Sequence, residues 1–138
     1  MTKSLTNINV LDFSHALSGP FCSMLLAELG AKIIKIEPPH GDHFRPANGG
    51  ATFAVVNRNK RSLCLDLKQP SASIIMERLI SKCDVIVENF TPGTMKRLGY
   101  HYEALKKLKP DSIYASISGF GSTGPYKDLK GYDAVAQA

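Results

Sequence analysis

An Asn, a Thr, an aromatic ring and a basic side chain follow one short apolar run closely enough to contact a single ligand. The run, residues 85–87, is β-branched or apolar throughout and bounded by polar residues, which predicts a buried strand. The residues of interest after it are Asn89, Phe90, Thr91 and Arg97. Thr91 and Pro92 predict a helix start, because Thr caps helices and Pro fits their first position. Open α/β sheets bind ligands at the carboxyl ends of their strands, so this stretch is the first candidate binding site.

The rest of the chain alternates between strand and helix patterns, which would place this stretch at the edge of a parallel sheet. Strands are predicted at residues 8–13, 32–37, 62–67 and 112–118, with a further one starting at Asp84. Helices are predicted at residues 20–29, 51–56, 70–82 and 102–109, with others starting near Pro92 and Tyr132. This order predicts an α/β fold: a Rossmann-like, doubly wound, mostly parallel sheet with helices on both faces.

Apolar spacing predicts which faces of the helices are buried. The helix at 20–29 is apolar nearly all round, so it is expected to be buried. In the helix at 70–82, Ile75 belongs to the set of residues expected to face inward. The helix at 102–109 is expected to turn both of its leucines inward and its lysines outward.

The charge balance favours a small anionic ligand. The chain has 17 Lys and Arg against 12 Asp and Glu in 138 residues, a formal net charge of +5. That modest excess suits a ligand such as a nucleotide. The basic residues are spread over several elements without interleaved aromatic residues, so no nucleic acid is expected as a partner. The basic segment 57–61 fits either a solvated turn or a functional hinge. The length predicts one domain with its own hydrophobic core.

The cysteines and histidines predict neither a disulfide framework nor a metal site. Cys22, Cys64 and Cys83 form no CxxC pair and are interpreted as small apolar fillers in a reducing compartment. His40 and His43 lie in a polar loop without a third well-placed ligand, so no metal is expected. The first ten residues show no apolar signal segment, and no apolar run approaches the roughly 20 residues of a membrane span. A cytoplasmic protein without membrane contact is therefore predicted.

A glycine-rich segment follows the last predicted strand. Gly119, Gly121 and Gly124 match the letters G-x-G-x-x-G, which mark a phosphate-binding turn in dinucleotide-binding folds. That fingerprint belongs after the first strand and needs an acidic residue about twenty positions later. Neither condition is met within this sequence, so a classical NAD site is excluded.

Four segments, in this order, resemble the amino-terminal part of the class III coenzyme A transferases. They are VLDFSHALSGPFCSMLLAELGAKIIKIEPP, NRNKRSLCLDLK, DVIVENFTPGTMKRLG and SISGFGSTGPYKDLKGYDAVAQA. Formyl-CoA transferase, carnitine CoA-transferase and α-methylacyl-CoA racemase belong to this family. Together the segments cover essentially the whole chain, so the resemblance is specific for the family and much less so for the substrate.

The resemblance implies that residues 1–138 form the amino-terminal portion of a large, Rossmann-like CoA-binding domain. It also implies a homodimer of two interlocked subunits. The expected partners are an acyl-CoA and a small carboxylic acid, with CoA as a substrate and no permanently bound cofactor. In this family an aspartate attacks the thioester, forming a mixed anhydride and then an enzyme-bound thioester. That aspartate would lie beyond Ala138, so this segment is expected to contain no catalytic residue and to be inactive alone.

The family's CoA contacts carry over to five parts of the chain. Leu17 and Ser18 match positions beside the thioester end of CoA, although many transferases carry Gln in place of Leu17. Pro38 matches a position often held by Arg, so a phosphate contact expected there is missing. The segment that lies along the nucleotide comprises Leu65, Asp66, Leu67 and Lys68, with Lys68 as a phosphate partner.

The remaining contacts carry over to residues 89–97 and to the end of the chain. Asn89, Phe90 and Thr91 match the turn that binds pantetheine. Arg97 matches a phosphate-binding Arg, which suits the three phosphate groups of CoA. The loop that closes on CoA near the reacting carbon comprises Lys130, Gly131, Tyr132 and Asp133.

Two other functions stay open beside the transferase. A racemase of this family carries His in the Gly-x-Asp step, where His serves as the base that removes the α-proton. This chain has Tyr132 there, and a phenol that ordinarily ionises near pH ~10 is a poor base at neutral pH, which favours the transferase. A non-catalytic module that binds CoA or dimerises is the second alternative. A native length of about four hundred residues, typical of the family, would distinguish an enzyme from such a module.

Overall fold

The computed structural model describes residues 3–137, which form five strands and six α-helices. The strands are β1 Asn9–Asp12, β2 Lys32–Glu37, β3 Lys60–Cys64, β4 Val85–Glu88 and β5 Ile113–Ser116. The helices are α1 Ser18–Glu28, α2 Ala51–Asn57, α3 Pro70–Ile80, α4 Thr94–Arg97, α5 Tyr102–Leu108 and α6 Asp133–Gln137. A short 3-10 turn, Ala47–Gly50, leads into α2.

The five strands form one sheet in the order β3-β2-β1-β4-β5, and every neighbouring pair is parallel. Leu11 in the central strand lies level with Ile34 of β2 and Ile86 of β4. Strand order runs outward from β1 in both directions, so the crevice at the carboxyl ends of β1 and β4 is a topological switch point. The predicted parallel α/β fold is confirmed.

Hydrophobic side chains pack on both faces of this sheet because successive residues of a strand point to opposite sides. On one face, Leu11 and Ile86 pack in a cluster with Met76 and Ile80 of α3 and Leu105 of α5. On the other face, Val10, Ile33 and Val87 pack in a cluster with Ala27 of α1 and Ala31. Helices therefore cover both faces, as the sequence predicts.

Strand β3 begins two residues earlier than predicted and ends before Leu65. The basic segment 57–61 is an exposed turn only at Arg58 and Asn59, since Asn57 ends α2 and Lys60 begins β3, level with Ile33. Lys60 is drawn into the sheet because its side chain, 2% exposed, reaches Asp12 of β1. Pairing with a distant carboxylate outweighs the preference of a charged residue for solvent.

The start of α4 also differs from the prediction, which placed a Thr91 cap before Pro92. Thr94 is the first helical residue, and its N–H donates to the carbonyl of Thr91 at 3.1 Å. Pro92 and Gly93 occupy the two central positions of that turn, and Gly93 has φ 80°. A Pro followed by a residue of positive φ is the pattern of a type II β-turn, which the local residues favour over a helix start.

Several side chains expected to be buried are exposed in the part of the chain that the structure describes. Phe21 and Leu25 of α1 and Leu29 directly after it are 47%, 46% and 51% exposed, so that helix is buried on one side only. Ile75 and Leu108 are each 43% exposed. Of the three cysteines only Cys83 is buried; Cys22 is half-buried and Cys64 is exposed. Apolar composition marked these helices as candidates for burial, but nothing described here packs on their outer sides.

Met24 and Leu25 are neighbours in α1 that should respond very differently to truncation. In the 138-residue chain, Met24→Ala is expected to lower the free energy of unfolding by about 2–5 kcal/mol, because Met24 is 2% exposed and its loss leaves a cavity. Leu25→Ala should cost less than about 1 kcal/mol, since much of its surface is already hydrated. Urea unfolding measures both values, and equal losses would show that Leu25 is covered.

Candidate functional site

The loops after β1 and β4 meet at the switch point and are joined there by the side chain of Asn89. Asn89 Oδ1 accepts the backbone N–H of His15 at 2.8 Å, and Asn89 Nδ2 donates to the His15 carbonyl at 2.8 Å. The same Nδ2 lies 3.2 Å from Ser18 Oγ at the start of α1. Both amide N–H groups of Asn89 are thus engaged within the chain. Its side chain holds the first loop in place beside β4.

The loop that Asn89 holds contains a strained residue, and the helix turn that follows it has a position that only glycine fits. Ala16 has φ 62°, a left-handed conformation that costs a non-glycine residue roughly 1–2 kcal/mol. A Cβ on Gly19 would lie 2.2 Å from Ser14 Cβ and 3.3 Å from Asn89 Cγ. The first turn of α1 therefore packs directly on Ser14. Strain that surrounding contacts hold in place is common at ligand sites.

Beneath this loop, a buried carboxylate joins β1 to α1 and β3. Asp12 is fully buried, and its Oδ1 accepts the N–H of Ser14 at 2.9 Å. Its Oδ2 accepts Ser23 Oγ at 2.5 Å and Lys60 Nζ at 3.0 Å. Lys60 Nζ also donates to the carbonyl of Pro20 at 2.8 Å. Burial lowers the pKa of Lys60, and the nearby Asp12 charge only partly opposes that shift.

A second buried pair lies between β2 and the loop that follows it. Lys35 Nζ is 2.9 Å from Asp42 Oδ2 and donates to the carbonyl of Ser14 at 2.6 Å. Asp42 Oδ1 accepts the N–H of Phe44 at 2.9 Å, and His15 Nδ1 is 3.7 Å from Oδ2. Burial alone would raise the pKa of Asp42, but His15, the Phe44 N–H and the Lys35 ammonium outweigh it and hold the pKa below its usual range.

Glu37 anchors the same loop from the end of β2. Arg45 donates to both of its carboxylate oxygens, at 2.6 and 2.7 Å, and Ser62 Oγ donates to it at 2.6 Å. The guanidinium also lies 4.1 Å from the ring centre of Phe53. Burial would raise the pKa of Glu37, but these hydrogen bonds lower it below its ordinary value. The loop is therefore folded back onto the sheet beside the switch point.

Sequence reasoning missed His15 and the charged residues of these pairs. One signal was available, because Lys35 in KIIKIE and Asp12 in NVLD interrupt runs that otherwise predict buried strands. Charged residues are almost never fully buried without a partner, so each implied one. Nothing in the local pattern identified which partner.

The structure brings part of the predicted CoA-binding set together at the switch point. Ser18 and Asn89 are in contact, and the ring of Phe90 lies 5.1 Å from that of His15. Leu17, exposed, comes directly before α1, and Thr91 is exposed after Phe90. Pro38 directly follows β2 and is half-buried, and its ring carries no charge for a phosphate.

The predicted nucleotide contacts follow β3 and β4 in the chain. Leu65 and Leu67 are half-buried against the core after β3. Asp66 accepts the Lys68 N–H at 3.0 Å, which closes a turn and leaves the Lys68 side chain exposed. Arg97 of α4 is exposed, and its Nη2 donates to Thr94 Oγ1 at 2.8 Å. Among the described residues Arg97 has no carboxylate partner, so its charge is available to an anion.

The predicted closing loop lies at the carboxyl end of β5, next to β4 in the sheet. Gly131 packs so tightly on Gly119 that a Cβ on it would lie 2.2 Å from the Gly119 Cα. Lys130 is exposed and Tyr132 is 69% exposed. Asp133 begins α6 and accepts Gln137 Nε2 at 2.6 Å. The contact between Gly119 and Gly131 therefore holds the two ends of segment 119–131 together.

Three histidine rings lie near one another in the loops after β1 and β2. The rings of His40 and His15 lie 6.0 and 5.8 Å from that of His43. Across residues 3–137, however, no three His, Cys, Asp or Glu side chains are grouped so that they could hold a metal ion. Within the same residues, no helix has the length and apolar character to cross a membrane.

Comparison with known proteins identifies relatives of this chain. The family model described as CoA-transferase family III matches residues 5–138. Formyl-CoA:oxalate CoA-transferase of Bradyrhizobium diazoefficiens is 47% identical over 99% of this chain, which spans 34% of that relative. The enzyme of the same name from Rhodopseudomonas palustris strain BisB18 is 46% identical, with the same coverage.

Solved structures agree with that comparison. A CAIB/BAIF family protein from Brucella suis superposes with a TM-score of 0.95 and 36% identity, over 99% of this chain and 39% of that one. A hypothetical protein from Mycobacterium tuberculosis gives a TM-score of 0.91 and 37% identity, over 95% of this chain and 37% of that one. The chain thus spans about a third of the length of its curated relatives. Because the family model covers nearly all of it, the chain belongs to CoA-transferase family III.

Proposed function

We propose that this chain is the CoA-binding part of a class III CoA-transferase, which moves CoA between an acyl-CoA thioester and a free carboxylic acid. The observation that carries the proposal is the junction at the switch point, where Asn89 holds a strained loop beside the exposed start of α1. The relatives named above make formyl-CoA and oxalate the first donor and acceptor to test.

CoA has a charged nucleotide part and a less polar pantetheine arm. The candidate residues at the carboxyl edge of the sheet divide in the same way, into exposed cations and apolar surface. Exposed cations at Lys68 and Arg97 suit the phosphate groups, which stay partly hydrated and need charged donors. Phe90 and Leu17 offer apolar surface at the switch point, which suits the alkyl segments of the pantetheine arm. Asn89 acts on the ligand through the loop, since its own amide donors are engaged.

The acyl-transfer step, by this proposal, uses a carboxylate outside the residues described. Attack of an aspartate on the thioester carbon releases CoA thiolate and leaves a mixed anhydride. The thiolate then attacks the aspartyl carbonyl, which releases the donor acid and leaves an enzyme thioester. The acceptor acid displaces the thiolate to form a second anhydride, and attack of the thiolate on the acceptor acyl carbon releases the new acyl-CoA and the free aspartate. The buried carboxylates here are engaged otherwise. Asp12 and Asp42 hold Lys60 and Lys35, and Glu88 accepts the Phe90 N–H at 2.8 Å. They position the loops, so none of these three is proposed as the nucleophile.

The exposed sides of the helices support a larger assembly. Phe21, Leu25 and Leu29 form one apolar row on α1 that is about half exposed. In the full protein we expect the remaining two-thirds of the chain, or the second subunit of a homodimer, to cover such surfaces. Burial of the acyl group by that second part would also keep water from a reactive anhydride.

Transfer itself can be tested at two chain lengths. The full-length protein is expected to exchange CoA between formyl-CoA and oxalate, whereas residues 1–138 alone should show no turnover. Mass spectrometry of the thioesters after incubation measures both. Turnover by the short chain that Asp133→Asn abolishes would contradict the proposal and make Asp133 the nucleophile.

Arg97→Ala tests the phosphate contact. In the full-length protein it is expected to weaken CoA binding by about 1.5–3 kcal/mol, the usual contribution of a charged hydrogen bond. Isothermal titration calorimetry gives the dissociation constant. Arg78→Ala, an exposed Arg on α3, is the matched control and should leave the affinity unchanged. Unchanged affinity in Arg97→Ala would remove Arg97 from the site.

A further inference from the structure

His15 is the polar side chain that the strained loop places at the switch point. Its backbone is held on both sides by Asn89, and Ala16 directly after it has φ 62°. Its ring lies 5.1 Å from the ring of Phe90, and its side chain is 20% exposed. The imidazole therefore lies at the surface of the crevice with an orientation set by its neighbours.

The two ring nitrogens of His15 lie in different surroundings. Nδ1 is buried and has no hydrogen-bond partner at normal distance among residues 3–137. The nearest carboxylate oxygen is Asp42 Oδ2, at 3.7 Å, on a side chain that is fully buried. Asp42 is itself held by Lys35 at 2.9 Å and by the N–H of Phe44 at 2.9 Å. A small rotation of the imidazole ring would bring Nδ1–H into a hydrogen bond with this fixed acceptor.

The groups around the ring determine which nitrogen carries the proton. Asp42 faces Nδ1 from the loop after β2, and the Lys35 ammonium lies behind Asp42. The ring of His43 is 5.8 Å away, and the ring of Phe90, at 5.1 Å, carries no charge. A carboxylate on the Nδ1 side favours the tautomer protonated there, which leaves the lone pair on Nε2. Nε2 is then a hydrogen-bond acceptor.

We propose that His15 is a further ligand-contacting residue of this site, whose Nε2 accepts a hydrogen bond from an amide N–H of the pantetheine arm, and that Asp42 is the positioning residue that fixes its ring. The inference rests on the proposed function, since it assumes that CoA is the ligand. The pantetheine arm is the part of CoA that combines amide groups with alkyl segments, and the crevice offers the matching pair of an acceptor and the apolar surface of Phe90 and Leu17.

The affinities for two ligands distinguish the contact with His15 from the rest of the site. CoA carries the pantetheine arm, and adenosine 3′,5′-bisphosphate carries only the nucleotide part. In the full-length protein, His15→Phe keeps a ring beside Phe90 but removes the acceptor. It is expected to weaken CoA about three- to tenfold, the loss of one neutral hydrogen bond, and to leave the bisphosphate affinity unchanged. His43→Phe is the matched control and should change neither affinity.

The role of Asp42 needs a measurement that a purely structural role would not change. NMR of ¹⁵N-labelled histidine is expected to show His15 protonated at Nδ1 in the wild-type protein, and an increased share of the Nε2–H tautomer in Asp42→Asn. CoA affinity in that variant should fall as in His15→Phe, while bisphosphate affinity is retained. Retained bisphosphate binding also shows that the variant is folded.

The outcomes distinguish this inference from the function on which it rests. Wild-type affinity for CoA in His15→Phe, or an equal loss for both ligands, would overturn the inference and leave the proposed function standing. A wild-type tautomer in Asp42→Asn would remove Asp42 from its positioning role. Failure of the wild-type protein to bind either ligand would overturn the proposed function itself.

Discussion

Asp12→Ala is expected to lower the free energy of unfolding by about 3–5 kcal/mol, the range for removing one partner of a buried ion pair. Asp12 and the Lys60 side chain are 0% and 2% exposed, and the carboxylate also accepts hydrogen bonds from Ser14 and Ser23. Without it, the ammonium stays buried beside neutral groups and the Ser14 hydroxyl loses its acceptor, whereas Ser23 Oγ keeps the carbonyl of Gly19 at 3.1 Å. Strand β1 would lose its side-chain contacts with β3 and α1, which Asp12 makes through Lys60 and Ser23.

Urea unfolding of three variants tests this explanation. The double variant Asp12→Ala/Lys60→Met should recover much of the loss, because it removes both buried charges together. Asp111→Ala is the control, since Asp111 forms a comparable 3.1 Å pair with Lys109 but is 74% exposed. Its replacement should leave the unfolding midpoint unchanged. If the double variant is as unstable as the single one, packing rather than the unpaired charge causes the loss.

Gly19→Ala is expected to destabilise the protein by about 3 kcal/mol, at the upper end of overpacking costs. Ordinarily, Gly to Ala inside a helix is stabilising by roughly 0.5–1 kcal/mol, so the sign should be reversed here. The cause is the Cβ that would lie 2.2 Å from Ser14 Cβ and 2.6 Å from Ser14 Oγ. To relieve that clash, α1 must move away from the loop that carries His15, so CoA affinity should fall as well.

A rescue variant and a control identify the cause of this effect. Gly19→Ala/Ser14→Gly removes the atoms in the way and should recover part of both stability and affinity. Gly99→Ala introduces a Cβ at φ 83°, where no atom lies within 4 Å, so only the conformational cost of about 1–2 kcal/mol is expected. Thermal unfolding and calorimetry with CoA measure these effects. Wild-type stability in Gly19→Ala would show that the loop accommodates the extra carbon.

The sequence by itself determined the architecture and the edge of the sheet at which to search for the site. Apolar runs such as 85–87 and the helix pattern at 70–82 are local, and strand-helix alternation leaves few topologies besides a parallel sheet. The Asn89–Phe90 stretch could be placed at a strand end for the same reason. The type II turn at Pro92-Gly93 was also local, but the rule for Pro at helix starts competed with it.

Only the tertiary structure decided what the polar residues do. Asp12 and Lys60 are 48 positions apart, and His15 and Asn89 are 74 apart, so no periodicity links them. Tertiary structure also decided the exposure of the apolar row on α1. Apolar composition indicates that a helix face is suited to burial, but it does not show whether another part of the protein covers that face. Local preference fixes the repeat of a helix or strand, whereas a buried charge is stable only where the fold brings its partner within a few ångströms.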